Sequence, residues 1–180
     1  MSKNHTKRVN AECRDVQEGQ NEKLELLITG LIKRHQFLSE YRLQNLIYLA
    51  ELLYLERTDG NSLSGASYTP YRYGSYSEEV RNTVESLSNE ANIISEKTAY
   101  NNDTHIYRYI GSDPNHPEKI ESLVNIVMSL SRHKCNYDLK EWVKSTYLFK
   151  NTDYDDEMEL SAYIEQYVAK GSKPEWKKLI

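Results

Sequence analysis

Apolar positions first acquire a period at Leu24. Leu24, Leu27, Ile28, Leu31 and Ile32 follow the i, i+3, i+4, i+7, i+8 spacing of an amphipathic helix, which predicts a helix ending near His35. The next segment, YRLQNLIYLAELLYLER, carries one stripe of Leu43, Leu46, Ile47, Ala50 and Leu53 and widens it with Leu49, Leu52 and Leu55. A helix apolar on more than one face belongs at the centre of its fold, so this is the predicted core helix, with Ser39 as N-cap and Arg42 in its first turn. Asp59, Gly60 and Asn61 supply the turn chemistry that ends it.

Beyond the core helix the pattern shortens. GNSLSG, Gly60 to Gly65, reads as a flexible loop, and Ala66 to Tyr73 as a short or edge strand, because Pro70 has no N–H for a ladder. Gly74 supplies a turn, and Ser75 or Ser77 can cap a helix whose first turn holds Glu78 and Glu79. Val80, Val84, Leu87 and Ala91 give that helix one narrow stripe, the mark of a surface helix. A hairpin follows: Ile93 and Ile94, a loop with Asn101, Asn102 and Asp103, then Ile106, Arg108 and Ile110 alternating with Tyr107 and Tyr109. After the loop GSDPNHP come helices at about 117–133, 139–147 and 155–169.

The expected fold is mainly α: one compact helical domain over 23–180 with one small β-hairpin and a short edge strand. Residues 1–22 mix both charges with Asn, Gln and Gly, show no apolar period, and read as a mobile tail. At 180 residues a single core suffices, and 38% hydrophobic content sets the chain apart from disordered sequences. No apolar run is long enough for a membrane span, and the first residues lack the apolar core of a signal peptide, so the expected location is cytoplasmic. Two cysteines, Cys13 and Cys135, give no disulfide framework.

Candidate chemistry is sparse. The 7 glycines form neither GxGxxG nor a P-loop, and GNSLSG lacks the GxSxG spacing of a nucleophile elbow. His133 and Cys135 offer two ligand types where zinc takes three or four, and the acidic run DYDDEMEL lacks the glycine of a calcium loop. No carboxylate pair or triad stands out. The chain therefore reads as non-enzymatic, with no cofactor and no metal.

Nucleic acid is a second reading, because a helix followed by a hairpin is the back half of a winged helix-turn-helix. A helix facing phosphates needs Lys and Arg, and this one sets Glu78, Glu79, Glu85 and Glu90 against Arg81 alone. The net charge of −4 adds no general attraction. Arg72 lies near the hairpin as well, and the candidate DNA contacts on the helix and hairpin are Arg81, Lys97 and Arg108.

YTPYRYGSYS, Tyr68 to Ser77, concentrates four tyrosines and an arginine in a chain with 2 Phe and 2 Trp. Such residues suit a protein interface, although Tyr71 and Tyr73 could equally pack on Leu46 or Leu53 with their hydroxyls in water. The order LQNLIYLAELLYL, then PYRYGSYSEEVRNTVESLSNEANI, resembles the Panacea antitoxin domain, also called SocA-like or GepA-like. That family has a core helix starting LQKLLYLA, an aromatic yGPy segment, a helix, and an L..L...G.I approach to a hairpin. The resemblance covers about 40–110; the helices at 117–170 fit only in kind. Asn45 replaces the usual lysine, Ser75 the usual proline, and Asn92 stands where a glycine is typical. The resemblance implies a binding protein that neutralises a toxin encoded nearby, by direct contact or by delivering it to a protease. Some relatives occur in phages and other mobile elements. Tyr71, Arg72, Tyr73 and Tyr76 are the candidate contact residues.

Overall fold

The computed structural model describes residues 3–35, 37–97, 104–112 and 115–171, with side chains from residue 19 onward. The loop residues Asn101, Asn102 and Asp103 and the side chain of Cys13 lie outside the described residues. Helices dominate: α1 (Lys3–His35), α2 (Glu40–Arg57), α3 (Glu78–Asn89), α4 (Glu118–Ser131), α5 (Asn136–Lys144), α6 (Tyr147–Lys150) and α7 (Leu160–Tyr163). Their strands are β1 (Leu38–Ser39), β2 (Thr69–Tyr71), β3 (Gly74–Tyr76), β4 (Ile93–Lys97) and β5 (His105–Tyr109).

α2 is the centre of the domain. Thirteen of its residues are buried, from Arg42 to Leu53 without a break and then Leu55. α1 covers it with the stripe Leu24, Leu27, Ile28, Leu31 and Ile32, each at 0–1% exposure. α4 adds Ile120, Leu123, Val124 and Val127, and α5 adds Leu139, Trp142 and Val143. Tyr48 and Tyr68 meet edge to face at 5.4 Å inside this core, and the Tyr48 hydroxyl hydrogen-bonds Thr146 Oγ1 at 2.9 Å. Burial of an aromatic ring is favourable when its polar tip finds such a partner.

β1, β5 and β4 form one antiparallel sheet in that order, with Leu38 opposite Tyr107 and Ser95 opposite Tyr107 on its other side. β2 and β3 form a separate hairpin, with Tyr71 opposite Gly74. β1, which lies between α1 and α2 in the chain, adds a third strand to the β4–β5 hairpin that follows α3.

Several expectations are corrected. The segment read as a tail is helical from Lys3: rich in Lys, Arg, Glu and Gln and free of proline, it propagates from the anchored part of α1, where extension adds a hydrogen bond per residue. Gln20 already packs on Gly65. Ser39 stands at the N-cap position of α2, but its side chain makes no capping bond, and its buried Oγ has no hydrogen-bond partner among the described residues. GNSLSG is clamped by the buried Glu51 carboxylate, which accepts from Ser62 Oγ (2.8 Å), Leu63 N (2.8 Å), Ser64 N (3.2 Å) and Ser64 Oγ (2.7 Å). Ala91 is exposed and outside the stripe; at φ 57° it closes α3 in a Schellman motif, with Asn92 N bonded to Leu87 O and Ala91 N to Ser88 O. The left-handed residue before the β4–β5 hairpin is thus Ala91, not Asn92.

The last helix begins at Leu160 and turns π-helical over Ile164–Val168; Asp155, at φ 75°, is unfit for a helix start. Its segment docks on the core, through Met158 N to Tyr68 O at 2.7 Å and a Tyr163 hydroxyl bonded to Glu56.

Candidate functional site

Two adjacent amides of α2 build the base of the site. Gln44 Oε1 accepts from Ser77 N and Gln44 Nε2 donates to Ser77 O, both at 3.0 Å, so this side chain pairs with the backbone as a strand would. Asn45 Nδ2 donates to Tyr73 O (2.9 Å) and Asn45 Oδ1 accepts from Ser75 N (3.0 Å). The turn Arg72–Tyr73 is thereby bolted to the core helix. Gly74 makes this approach feasible: its φ is +118°, and a Cβ there would stand 1.9 Å from Asn45 Oδ1. The core helix α2 and the tyrosine-rich turn are therefore each other's direct partners.

On this base the tyrosines gather. Tyr41, in the first turn of α2, lies 4.2 Å from Tyr73 and 6.5 Å from Tyr71, ring centre to ring centre. Tyr71 meets Tyr73 and Tyr76, each at 5.8 Å. The Arg72 guanidinium sits 4.4 Å over the Tyr73 ring and bonds its hydroxyl. Offset and edge contacts of this kind contribute about 0.5–1.5 kcal/mol a pair beyond area burial. Tyr41 is thus a common partner of the Tyr71 and Tyr73 rings. Tyr71, at 39% exposure, and Arg72 face solvent; Tyr73 and Tyr76 are half-buried, and Tyr68 is core.

Beside the cluster a groove of about 610 Å³ runs between α3 and the β4–β5 hairpin, walled by Tyr41, Tyr71, Tyr76 and Tyr107. Tyr41 also borders a second hollow of about 310 Å³, which reaches Tyr137 and Lys140. Burial pushes the phenols of Tyr41, Tyr76 and Tyr107 above their ordinary range, so they stay neutral hydrogen-bonding groups. Burial likewise raises the Glu40 carboxyl at the groove edge, against the pull of His105 and Arg81. Charges in the groove are balanced, Arg81 and Lys97 against Glu40 and Glu85.

All four contact candidates, Tyr71, Arg72, Tyr73 and Tyr76, come together. The three candidate DNA contacts do not. Arg81 is engaged by Glu85 (3.1 Å) and Glu78 (3.9 Å) and lines the groove with Lys97. Arg108 lies on the opposite face of the hairpin, 3.9 Å from Glu96. Tyr41 was not legible as part of the site, because it sits outside the tyrosine-rich stretch and joins it only through the fold. Among the described residues no cluster of His, Cys, Asp and Glu is arranged to hold a metal ion, and no helix is long and apolar enough to cross a membrane. Comparison with family models finds no match, and comparison with curated proteins finds no relative.

Proposed function

We propose that the protein is a non-enzymatic binding module of the cytoplasm that seats a partner protein on its tyrosine face, in the manner of an antitoxin neutralising a toxin encoded nearby. The observation that carries this reading is the Tyr41–Tyr71–Tyr73–Tyr76 cluster with Arg72, held in advance by Gln44 and Asn45. Tyrosine and arginine are the residues that anchor protein interfaces, and rings already ordered lose little further freedom on binding. The balanced charge of the adjoining groove suits a protein partner better than a polyanion. Delivery of the partner to a protease is a compatible outcome of the same contact.

Co-expression with the products of neighbouring genes tests the proposal. A stable complex is expected, with toxicity of the partner relieved. The variant Tyr71→Ala/Arg72→Ala, which truncates two exposed side chains, should weaken the complex at least about tenfold while the free variant stays folded by circular dichroism, with a melting temperature lowered by the lost ring contacts. Absence of any complex, or full affinity in the double variant, refutes it.

The sheet β1–β5–β4 around α3 favours a second reading, a winged-helix regulator of transcription. Its test is DNA binding at two salt concentrations: specific binding with a steep salt slope supports it, and no binding at low salt removes it.

A further inference from the structure

Away from the tyrosine face, a cleft of about 470 Å³ opens between the C-terminal ends of α1 and α4. Three arginines line it, Arg34, Arg42 and Arg132, together with His35, Met128 and Ser129, and no carboxylate is part of its wall. In a chain of net charge −4 this is a local inversion of sign.

Arg42 is the centre of the argument. It is 8% exposed and has no carboxylate partner among the described residues. Its Nε donates to His35 Nε2 (3.0 Å), Nη1 to Lys134 O (2.9 Å) and Asn136 Oδ1 (3.2 Å), and Nη2 to Ser131 O (3.0 Å), which leaves one Nη2 hydrogen unplaced. Carbonyl oxygens at the end of α4 solvate the cation and supply a partial negative charge, but they do not neutralise it. Buried cations are normally paired with an anion. His35 adds no charge: Nε2 accepts from Arg42, so the ring is neutral, and burial and Arg42 both disfavour its protonation. Arg34 bonds Glu121 and Asn125 at the rim, whereas the exposed Arg132 and Ser129 point no hydrogen bond at any described residue.

We propose that this cleft binds the phosphate group of a small molecule or free phosphate, with Arg132 and Arg34 as the reachable contacts and Arg42 as the fixed charge behind them. Guanidinium forks match tetrahedral oxyanions by geometry as well as charge, which lysines do not. The volume exceeds one phosphate and Met128 supplies an apolar wall, so an organic phosphate ester fits the space. This inference is independent of the tyrosine face.

The test is thermal unfolding of the full chain in inorganic phosphate and in adenosine 5′-monophosphate, each against chloride at equal ionic strength. A ligand that binds only the folded state raises the midpoint saturably. Such a rise is expected, with apparent affinity at least about fivefold weaker in Arg132→Ala and weaker again in Arg132→Glu. Neither variant touches the core, and Arg57→Ala, at the far end of α2, should behave as wild type. Tighter binding of the nucleotide identifies an ester as the ligand; equal binding identifies free phosphate. No saturable rise, or one that both Arg132 variants retain in full, overturns the proposal.

Discussion

Replacing Glu51 by glutamine is the sharpest probe of the core. The carboxylate is fully buried and accepts four hydrogen bonds from Ser62, Leu63 and Ser64. In the variant one oxygen becomes an NH₂ group. The serine hydroxyl on that side can rotate to accept, but the backbone N–H cannot. In one amide orientation Ser64 N–H is orphaned, in the other Leu63 N–H. A buried donor left without a partner costs about 1–3 kcal/mol, and the remaining bonds lose their charge assistance, for a combined loss of about 2–5 kcal/mol. In a domain of this size each kcal/mol lowers the midpoint by about 2–4 °C, so a fall of at least about 4 °C is expected in a thermal melt followed by circular dichroism. Proteolysis of the 60–66 loop should accelerate in parallel. Ser64→Ala should destabilise the wild type yet add little to Glu51→Ala, because the two side chains share one interaction. A midpoint within about 1 °C of wild type for Glu51→Gln refutes the reasoning, since it would mean the loop is not held by this carboxylate.

Two other outcomes follow from local geometry. Ala91→Gly should stabilise the protein by about 1 kcal/mol in urea denaturation, because a left-handed residue with a Cβ closes α3 at φ 57°; no gain would mean that α3 does not end there. His35 titrates below its ordinary range, first through burial and then through Arg42. The unfolded chain therefore binds a proton before the folded one does as pH falls from about 6.5, and stability declines with a slope of at most about 1.4 kcal/mol per pH unit. His35→Gln should flatten that acid limb in melts recorded from pH 7 to 5, and an unchanged limb assigns it to other groups.

What the sequence made legible was whatever apolar spacing dictates. α2 announced itself by leucines on more than one face, and the buried stripes of α1, α4 and α5 fall where their periods put them. β1 was invisible because Leu38 and Ser39 are a strand only by courtesy of the β5 ladder. On the hairpin, Tyr107 and Ile93 take the buried side, while Ile110, just past the end of β5, stands half exposed. The four contact candidates were found by composition. Tyr41, the Glu51 clamp and the arginine cleft were not, because each is made by residues far apart in the chain.

Asn45 and Ser75 have a consequence for how this sequence can drift. Ser75 N–H points at Asn45 Oδ1. A proline at 75 would have no N–H to offer, and a lysine at 45 would have no oxygen to receive one. Asparagine with serine is one self-consistent pair, and lysine with proline, which needs no N–H···O bond between the two positions, would be another. The mixed pairs strand a polar group or crowd two donors together. Inheritance should therefore tie the two positions, so that among descendants of a common ancestor they change as a couple, and a chimera that crosses over between α2 and the tyrosine turn should be unstable unless both come from the same parent.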